Sequence, residues 1–261
     1  MLAATKNGSQ LNFSYVIQNK LNKHLFLFIV FSVFIQFSYG QKTEINFNAY
    51  TGLFSFHGDG STSNSTIITE NLITDNPYGR KNEFSYAIEL QGQRLSKRKN
   101  IYGLGISFES LTSKVNINYL LEESPAFPNI MPLYFPATGE TELKNMFITL
   151  NPFIGHRYLY RKMTFDLLAG FDAAFCLESK EAGNATINQI NFLSSSQKYF
   201  AVENDKTKPS IDFRPRIQIK TQIKKFGFLV GYSLGLTNYL TQNYSKAYTN
   251  FLRLGLSYQL K

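Results

Sequence analysis

The feature that most constrains this chain is an alternation of apolar with small or polar side chains, repeated in eight segments from Glu44 to Leu260. A period of two puts successive side chains on opposite faces of a strand. In the first segment, Glu44–Phe56, Ile45, Phe47, Ala49, Thr51 and Leu53 share one face and Asn46, Asn48, Tyr50 and Gly52 the other. Phe84, Tyr86, Ile88 and Leu90 then oppose Ser85, Ala87, Glu89 and Gln91, and Tyr102, Leu104, Ile106 and Phe108 oppose Gly103, Gly105, Ser107 and Glu109. The fourth segment sets Met146, Ile148, Leu150 and Ile154 against Asn145, Thr149, Asn151 and Gly155. The fifth sets Phe165, Leu167, Ala169, Phe171, Ala173 and Phe175 against Asp166, Gly170, Asp172 and Ala174. The last three run over Ile211–Lys220, Gly227–Thr237 and Leu252–Leu260 in the same manner. Pro152 and Pro215 interrupt the fourth and sixth, where bulges are expected to absorb the missing donors.

The connections sort by length. Short turns lie at Ser96–Asn100, Tyr160–Lys162 and Lys224–Lys225, and long links at 57–83, 114–141, 178–208 and 239–247. An even strand count with every second loop long is the layout of an outer-membrane barrel, whose short turns are periplasmic and long loops extracellular. Hydrocarbon also demands closure, because an open edge would leave backbone groups unpaired. The expected fold is therefore all-β: an eight-stranded antiparallel up-and-down transmembrane β-barrel over residues 41–261. A soluble β-sandwich alternates too, but nothing in its physics lengthens every second loop. With 15% aromatic and only 17% charged residues, disorder and coiled coil are excluded. One cysteine, Cys176, leaves no disulfide scaffold or multi-cysteine zinc site.

Residues 1–40 read differently. Leu25–Phe37 is an apolar run of 13 residues, preceded by Lys20, Lys23 and His24 and followed by Ser38-Tyr39-Gly40. A basic flank, a short apolar core and small residues before the cut mark a cleavable secretory signal peptide. The run falls short of the ~20 residues a spanning helix needs. Cleavage is expected after Gly40, and without a following cysteine no lipid anchor is expected. The first 19 residues lack this character, so the expected translation start lies nearer Leu21. Loss of Lys6, Lys20 and Lys23 with this segment takes the formal charge from +9 to +6.

The face assigned inward carries Glu89, Glu109, Asp166, Asp172 and Asp212 together with Arg214, Arg216, Lys220 and Arg253. Buried ions persist when paired, so a cross-strand ion-pair network plugging the lumen is expected. Eight strands enclose about the space side chains can fill. Lys97, Arg98, Lys99, Arg161, Lys162, Lys224 and Lys225 concentrate at the short turns. At one rim of a barrel they suit anionic headgroups of the inner leaflet better than nucleic acid. Tyr102, Tyr158, Tyr160, Phe226 and Tyr258 are expected in an aromatic girdle at that rim, and Tyr50, Phe84, Tyr86 and Tyr239 in one at the other. Thr66–Thr69 and Val115–Tyr119 still alternate, so the strands are expected to rise beyond the bilayer. The sequons at Asn64 and Asn184 match a glycosylation pattern but carry little weight on a bacterial surface.

The stretches NPFIGHRYL…FDLLAGFDAAF from Asn151, VGYSLGLTNYL from Val230 and the ending FLRLGLSYQL resemble the PorT-like outer-membrane β-barrel domain family over about Ile45 to Leu260. That resemblance implies an eight-stranded barrel in a Gram-negative outer membrane, and supplies no catalytic residue. The expected function is non-enzymatic: a structural, adhesive or partner-binding barrel acting through its external loops. The alternatives are a small pore and a lipid-modifying enzyme. The enzyme would need a nucleophile and base at the outer rim, where His57 stands beside Asp59 and Ser61. His156 belongs at the opposite end of its strand. No cofactor is expected. The expected partners are outer-membrane lipids, the barrel-assembly machinery, and an extracellular or periplasmic protein, with no nucleic acid.

Overall fold

The computed structural model describes residues 42–122, 133–191, 194–206, 209–240 and 245–261. The expected signal peptide and its cleavage position lie outside the described residues, as do residues 123–132 of the long link that holds Pro125, Pro128, Pro132 and Pro136; Pro136 itself lies in a described strand. The described chain forms β1 (Lys42–His57), β2 (Asn64–Ile68), β3 (Ile73–Thr74), β4 (Lys81–Leu95), β5 (Asn100–Glu122), β6 (Leu133–Tyr160), β7 (Met163–Asn191), β8 (Ser194–Asp205), β9 (Ile211–Ile223), β10 (Phe226–Leu234) and β11 (Tyr248–Gln259).

Eight of these strands close into a ring in the order β1-β4-β5-β6-β7-β9-β10-β11. Each ring strand runs antiparallel to its neighbours, and the C-terminal strand seals the ring against the first, from Asn46↔Gln259 to His57↔Tyr248. Every segment with the two-residue period is one staves' length of this barrel. On β1, Phe47 and Leu53 are exposed while Asn46, Asn48 and Tyr50 are buried; on β9, Phe213, Ile217 and Ile219 are exposed while Asp212, Arg214 and Lys220 are buried. The polarity is the inverse of a water-soluble core. Apolar side chains form the outer belt of a transmembrane barrel and the ions lie within.

Three features depart from the expectations. The prolines cause no bulge. Pro152 keeps the β5–β6 register opposite Leu104, and the β6–β7 ladder simply skips Asn151 and Pro152 between Leu150↔Ala173 and Phe153↔Gly170. Pro215 stays in register with Phe171, and on its other side the β9–β10 ladder ends one residue away at Arg216. Each missing N–H therefore falls at a gap or an end of a ladder. The second departure is a register shift opposite Met146 and Phe147 that passes over Leu177. Beyond it the buried positions of β7 change from even to odd numbers, with Asp172 and Ala174 buried below and Ser179 and Glu181 above. The third concerns the aromatic girdle, because Tyr50 and Tyr239 are buried in the interior rather than set at the surface. On β1, parity alone turns Tyr50 inward.

Much of the long links is folded. Above the belt, β5, β6 and β7 continue, β2 and β3 add to β5, and β8 adds to β7, giving a sheet in the order β3-β2-β5-β6-β7-β8. This sheet curls until its ends meet, where Asn204 Nδ2 donates to the Leu72 carbonyl at 2.7 Å. Ile67, Val115, Ile117, Leu120, Ala185, Ile187 and Val202 form a core of its own. The outward residues of β6 mark the boundary: Thr138, Glu140, Glu142 and Lys144 are polar, whereas Met146, Ile148, Leu150 and Ile154 are apolar.

A cation placed at mid-belt should therefore be costly. Leu254→Arg is expected to lower the folding free energy into lipid vesicles by about 2–4 kcal/mol. Thr138→Arg on the extension is expected to change it by less than about 0.5 kcal/mol. Denaturant titration of tryptophan-labelled protein in vesicles measures both.

Candidate functional site

The lumen is stacked in layers set by strand parity. At the short-turn end, Arg157 from β6 lies between Glu44 of β1 and Asp166 of β7. It donates to Glu44 Oε1 at 2.9 Å and Oε2 at 2.8 Å, and to Asp166 Oδ1 at 2.6 Å and Oδ2 at 2.8 Å. Gln93 Nε2 adds a third donor to Glu44 at 2.8 Å. Bidentate guanidinium–carboxylate pairs are the arrangement in which buried ions are best compensated. Lys220 stands directly across the ladder from Asp166, and its Nζ has no hydrogen-bond partner among the described residues.

The middle layer centres on Arg216 and Glu89. Arg216 Nη1 reaches Glu89 Oε1 at 3.3 Å and Asp172 Oδ1 at 3.5 Å, and the guanidinium lies over the Tyr50 ring at 5.4 Å. The Tyr50 hydroxyl donates to Glu89, and Asn48 Nδ2 donates to Glu89 Oε2 at 2.9 Å. One layer up, Glu109 is shared by two arginines: Arg214 Nη2 at 2.5 Å and Arg253 Nη2 at 2.9 Å. Arg253 also reaches Asp172 at 2.8 Å. Gly105 leaves room for this packing, since a Cβ there would lie 2.4 Å from Glu89 Oε1. Asp212 accepts from Thr249 Oγ1 at 2.7 Å and Tyr239 OH at 3.3 Å, with Arg214 Nε at 3.9 Å.

The outer mouth is closed by rings. Phe54, Phe56, Tyr78, Phe147, Tyr239 and Phe251 form one buried cluster, with Phe56 edge-on to Tyr239 at 5.0 Å and to Tyr78 at 5.2 Å. Arg253 lies 4.5 Å over the Phe251 ring, joining the ionic layer to the aromatic one. A cavity of about 10 Å³, lined by Gln91, Asn151 and Arg216 among others, has the size of a single water.

All nine charged residues read from the sequence as inward lie buried in this lumen. They do not all pair among themselves. Asp166 is held by Arg157, and Lys220 makes no hydrogen bond. Glu44 and Arg157 complete the network without having been singled out, and Tyr50 joins it from a place expected in the aromatic girdle. Arg157 lies one alternation beyond the segment that ended at Gly155, so the signal for it was parity carried one step further.

The seven basic turn residues are all exposed and all lie at the short-turn end. Lys99, Arg161 and Lys224 adopt left-handed backbone, with φ of 64°, 53° and 55°. Glycine or asparagine takes this conformation most easily, and a long side chain there costs on the order of 1 kcal/mol. Positive charge thus occupies these turns against the backbone preference. At the other end, Lys114 bridges Glu83 at 3.1 Å, Glu140 at 3.3 Å and Glu142 at 3.1 Å. Burial alone would lower the pKa of this ammonium, but its hydrogen bonds to the three carboxylates outweigh burial and raise it. Tyr119, Tyr134 and Tyr199 are exposed on the extension, the first two packed edge to face at 6.4 Å.

His57, Asp59 and Ser61 do not assemble into a nucleophile and base. His57 packs beside Tyr248 at 5.6 Å, Asp59 Oδ1 accepts the Lys246 N–H at 2.8 Å, and Ser61 Oγ donates to the Gly58 carbonyl at 2.8 Å. No hydrogen bond joins the three among the described residues. His156 lies at the short-turn end, its Nδ1 2.9 Å from Asn100 Oδ1.

No family model matches the chain, and no curated protein matches it significantly. Among solved structures, Ail, the attachment invasion locus protein of Yersinia pestis, in complex with the heparin analogue sucrose octasulfate, aligns over 84% of this chain and 99% of its own, with 10% identity and a TM-score of 0.36. Neisserial surface protein A aligns over 84% of this chain and 98% of its own, with 9% identity and a TM-score of 0.35. Superposition at this level is partial, and the barrel assignment rests on the chain's own closed ladder.

Glu109 offers the sharpest test of the lumen. Glu109→Leu leaves Arg214 without its closest partner and should destabilise the barrel by about 3–5 kcal/mol. Adding Arg214→Leu should recover more than half of that loss. Urea unfolding in detergent micelles, read by tyrosine fluorescence, provides the comparison.

Proposed function

We propose that the mature chain is a non-enzymatic barrel of the bacterial outer membrane, its lumen shut and its raised sheet presented outside the cell as an adhesive or partner-binding surface. The observation that carries this reading is the division of the molecule into a filled lumen and an extension with a separate apolar core. A strand that only crosses the membrane needs about 9–11 residues, yet β6 has 28 and β7 has 29. The excess is built into a rigid platform bearing exposed tyrosines, which contribute large contact area at low entropic cost. Export by the Leu25–Phe37 segment, insertion by the barrel-assembly machinery and membership of the PorT-like family fit this reading and belong to the same proposal.

The pore and enzyme readings gain no support from the site. Arginine–carboxylate layers and edge-packed rings occupy the path an ion would take, and the residues beside His57 have other partners.

Cells producing the protein should bind a surface or partner that cells in which residues 114–141, the β5–β6 part of the extension, are replaced by a short turn do not, while the replaced protein still migrates as a folded barrel before boiling. Retained binding after replacement would move the function off the extension. In planar bilayers the wild type should show no steady conductance, and Glu89→Ala with Arg216→Ala should raise it by opening the middle layer. An open wild-type channel would contradict the shut lumen.

A further inference from the structure

We propose that the outer wall at the β5–β6–β7 junction binds one anionic phospholipid, its acyl chain in a pit between the strands and its phosphate against the β4–β5 turn. The proposal rests on the membrane placement proposed above and adds a defined site and ligand to it.

The pit has a volume of about 410 Å³ and lies on the lipid-facing surface near the short-turn end. Its walls follow from the ladder. Tyr102, Ile154 and Ala169 form one cross-strand row, and Asn100, His156 and Leu167 the next. The other outward residues of β7 in this region include Phe165, Leu167 and Phe171, so the methyl of Ala169 leaves a depression where its neighbours are bulky. The floor is the strand backbone at Ile101 and Gly155, the Ile101 side chain being turned inward against Phe153 and Leu168, and the apolar walls are the side chains of Tyr102, Ile154, Leu167 and Ala169.

The lip of the pit is polar on one side only. His156 Nδ1–H donates to Asn100 Oδ1 at 2.9 Å, which orients the ring and leaves Nε2 of the neutral imidazole as an acceptor for a headgroup hydroxyl. Asn100 follows directly on Lys97, Arg98 and Lys99, all exposed. The Lys99 carbonyl accepts the Arg157 N–H at 2.8 Å, which fixes the turn beside His156. Lys99 holds its place in the left-handed region, at φ 64°. The two other basic turns are arranged differently, because Arg161 lies over Tyr160 at 5.4 Å and Lys225 over Tyr258 at 6.0 Å.

An apolar pit with a cationic, hydrogen-bonding lip matches a molecule whose anionic group is joined to a hydrocarbon chain. A soluble anion would leave the pit unused. A zwitterionic headgroup would bring its own ammonium toward three cations. Phosphatidylglycerol supplies the required combination, and cationic juxtamembrane residues attract such lipids.

The test uses the full mature chain, purified in neutral detergent and equilibrated with equal amounts of phosphatidylglycerol and phosphatidylethanolamine, with native mass spectrometry as the readout. The expected result is one retained phosphatidylglycerol per barrel. Ala169→Phe fills the pit and should abolish retention. The triple variant Lys97→Gln, Arg98→Gln, Lys99→Gln should weaken it by about tenfold or more, the scale expected for removing three cations from a lipid surface. Equal retention of both lipids, or wild-type retention by Ala169→Phe, overturns the site. Heat-modifiable gel migration, measured on each sample, separates the two claims: a folded barrel that retains no lipid refutes the site alone, and a wild type that never forms a heat-modifiable species refutes the membrane barrel beneath it.

Discussion

The ladder between β1 and β11 is the interaction on which everything else depends. In hydrocarbon an unpaired backbone N–H or C=O has no water to turn to, so a sheet with two free edges could not remain there. Pairing from Asn46↔Gln259 to His57↔Tyr248 removes both edges at once. It also fixes parity all round the ring. Once β1 is joined to β11, each strand's alternation has only one arrangement that keeps apolar side chains in lipid and charged ones inside.

Closure creates the problem that the lumen solves. A ring this narrow brings carboxylates and guanidinium groups together with little room for solvent, and each would be costly alone. The arginines resolve this by serving more than one acid: Arg157 joins β1 to β7 through Glu44 and Asp166, and Arg253 joins Glu109 of β5 to Asp172 of β7. Arg157–Asp166 lies within the β6–β7 ladder, whereas the bonds from Arg157 to Glu44 and from Arg253 to Glu109 and Asp172 join strands that are not neighbours, so they brace the wall from within. The aromatic cluster performs the same bracing at the outer mouth by dispersion.

The sequence made the staves legible and the connections between them much less so. Parity within each segment separated Arg214, Arg216 and Arg253 from Phe213, Ile217 and Leu254, because burial in a barrel depends only on odd or even position. The short β6–β7 turn already sets Arg157 opposite Asp166, because a two-residue hairpin fixes the register. That Arg157 also reaches Glu44, and that Lys220 stays without a hydrogen bond, depends on tilt and stagger between strands, which no single segment encodes. The shift at Leu177 inverted the parity of β7 midway, so Lys180–Asn191 looked like loop when it is strand. Tyr50 shows a different failure: its strand's alternation pointed inward, and its residue type suggested a girdle. Parity was the stronger physical signal. The pit beside Ala169 was invisible for a further reason, since it exists only where residues of three strands fall in register.

The most direct measurement is a spin-label scan along β7 in lipid vesicles, from Phe165 to Phe175, with Cys176→Ser as the background. Collision rates with oxygen, which concentrates in hydrocarbon, should rise at Phe165, Leu167, Ala169, Phe171, Ala173 and Phe175 and fall at every intervening position. An alternation of opposite phase, or uniform accessibility to a water-soluble relaxation agent along the whole stretch, would contradict a barrel with lipid outside and ions within.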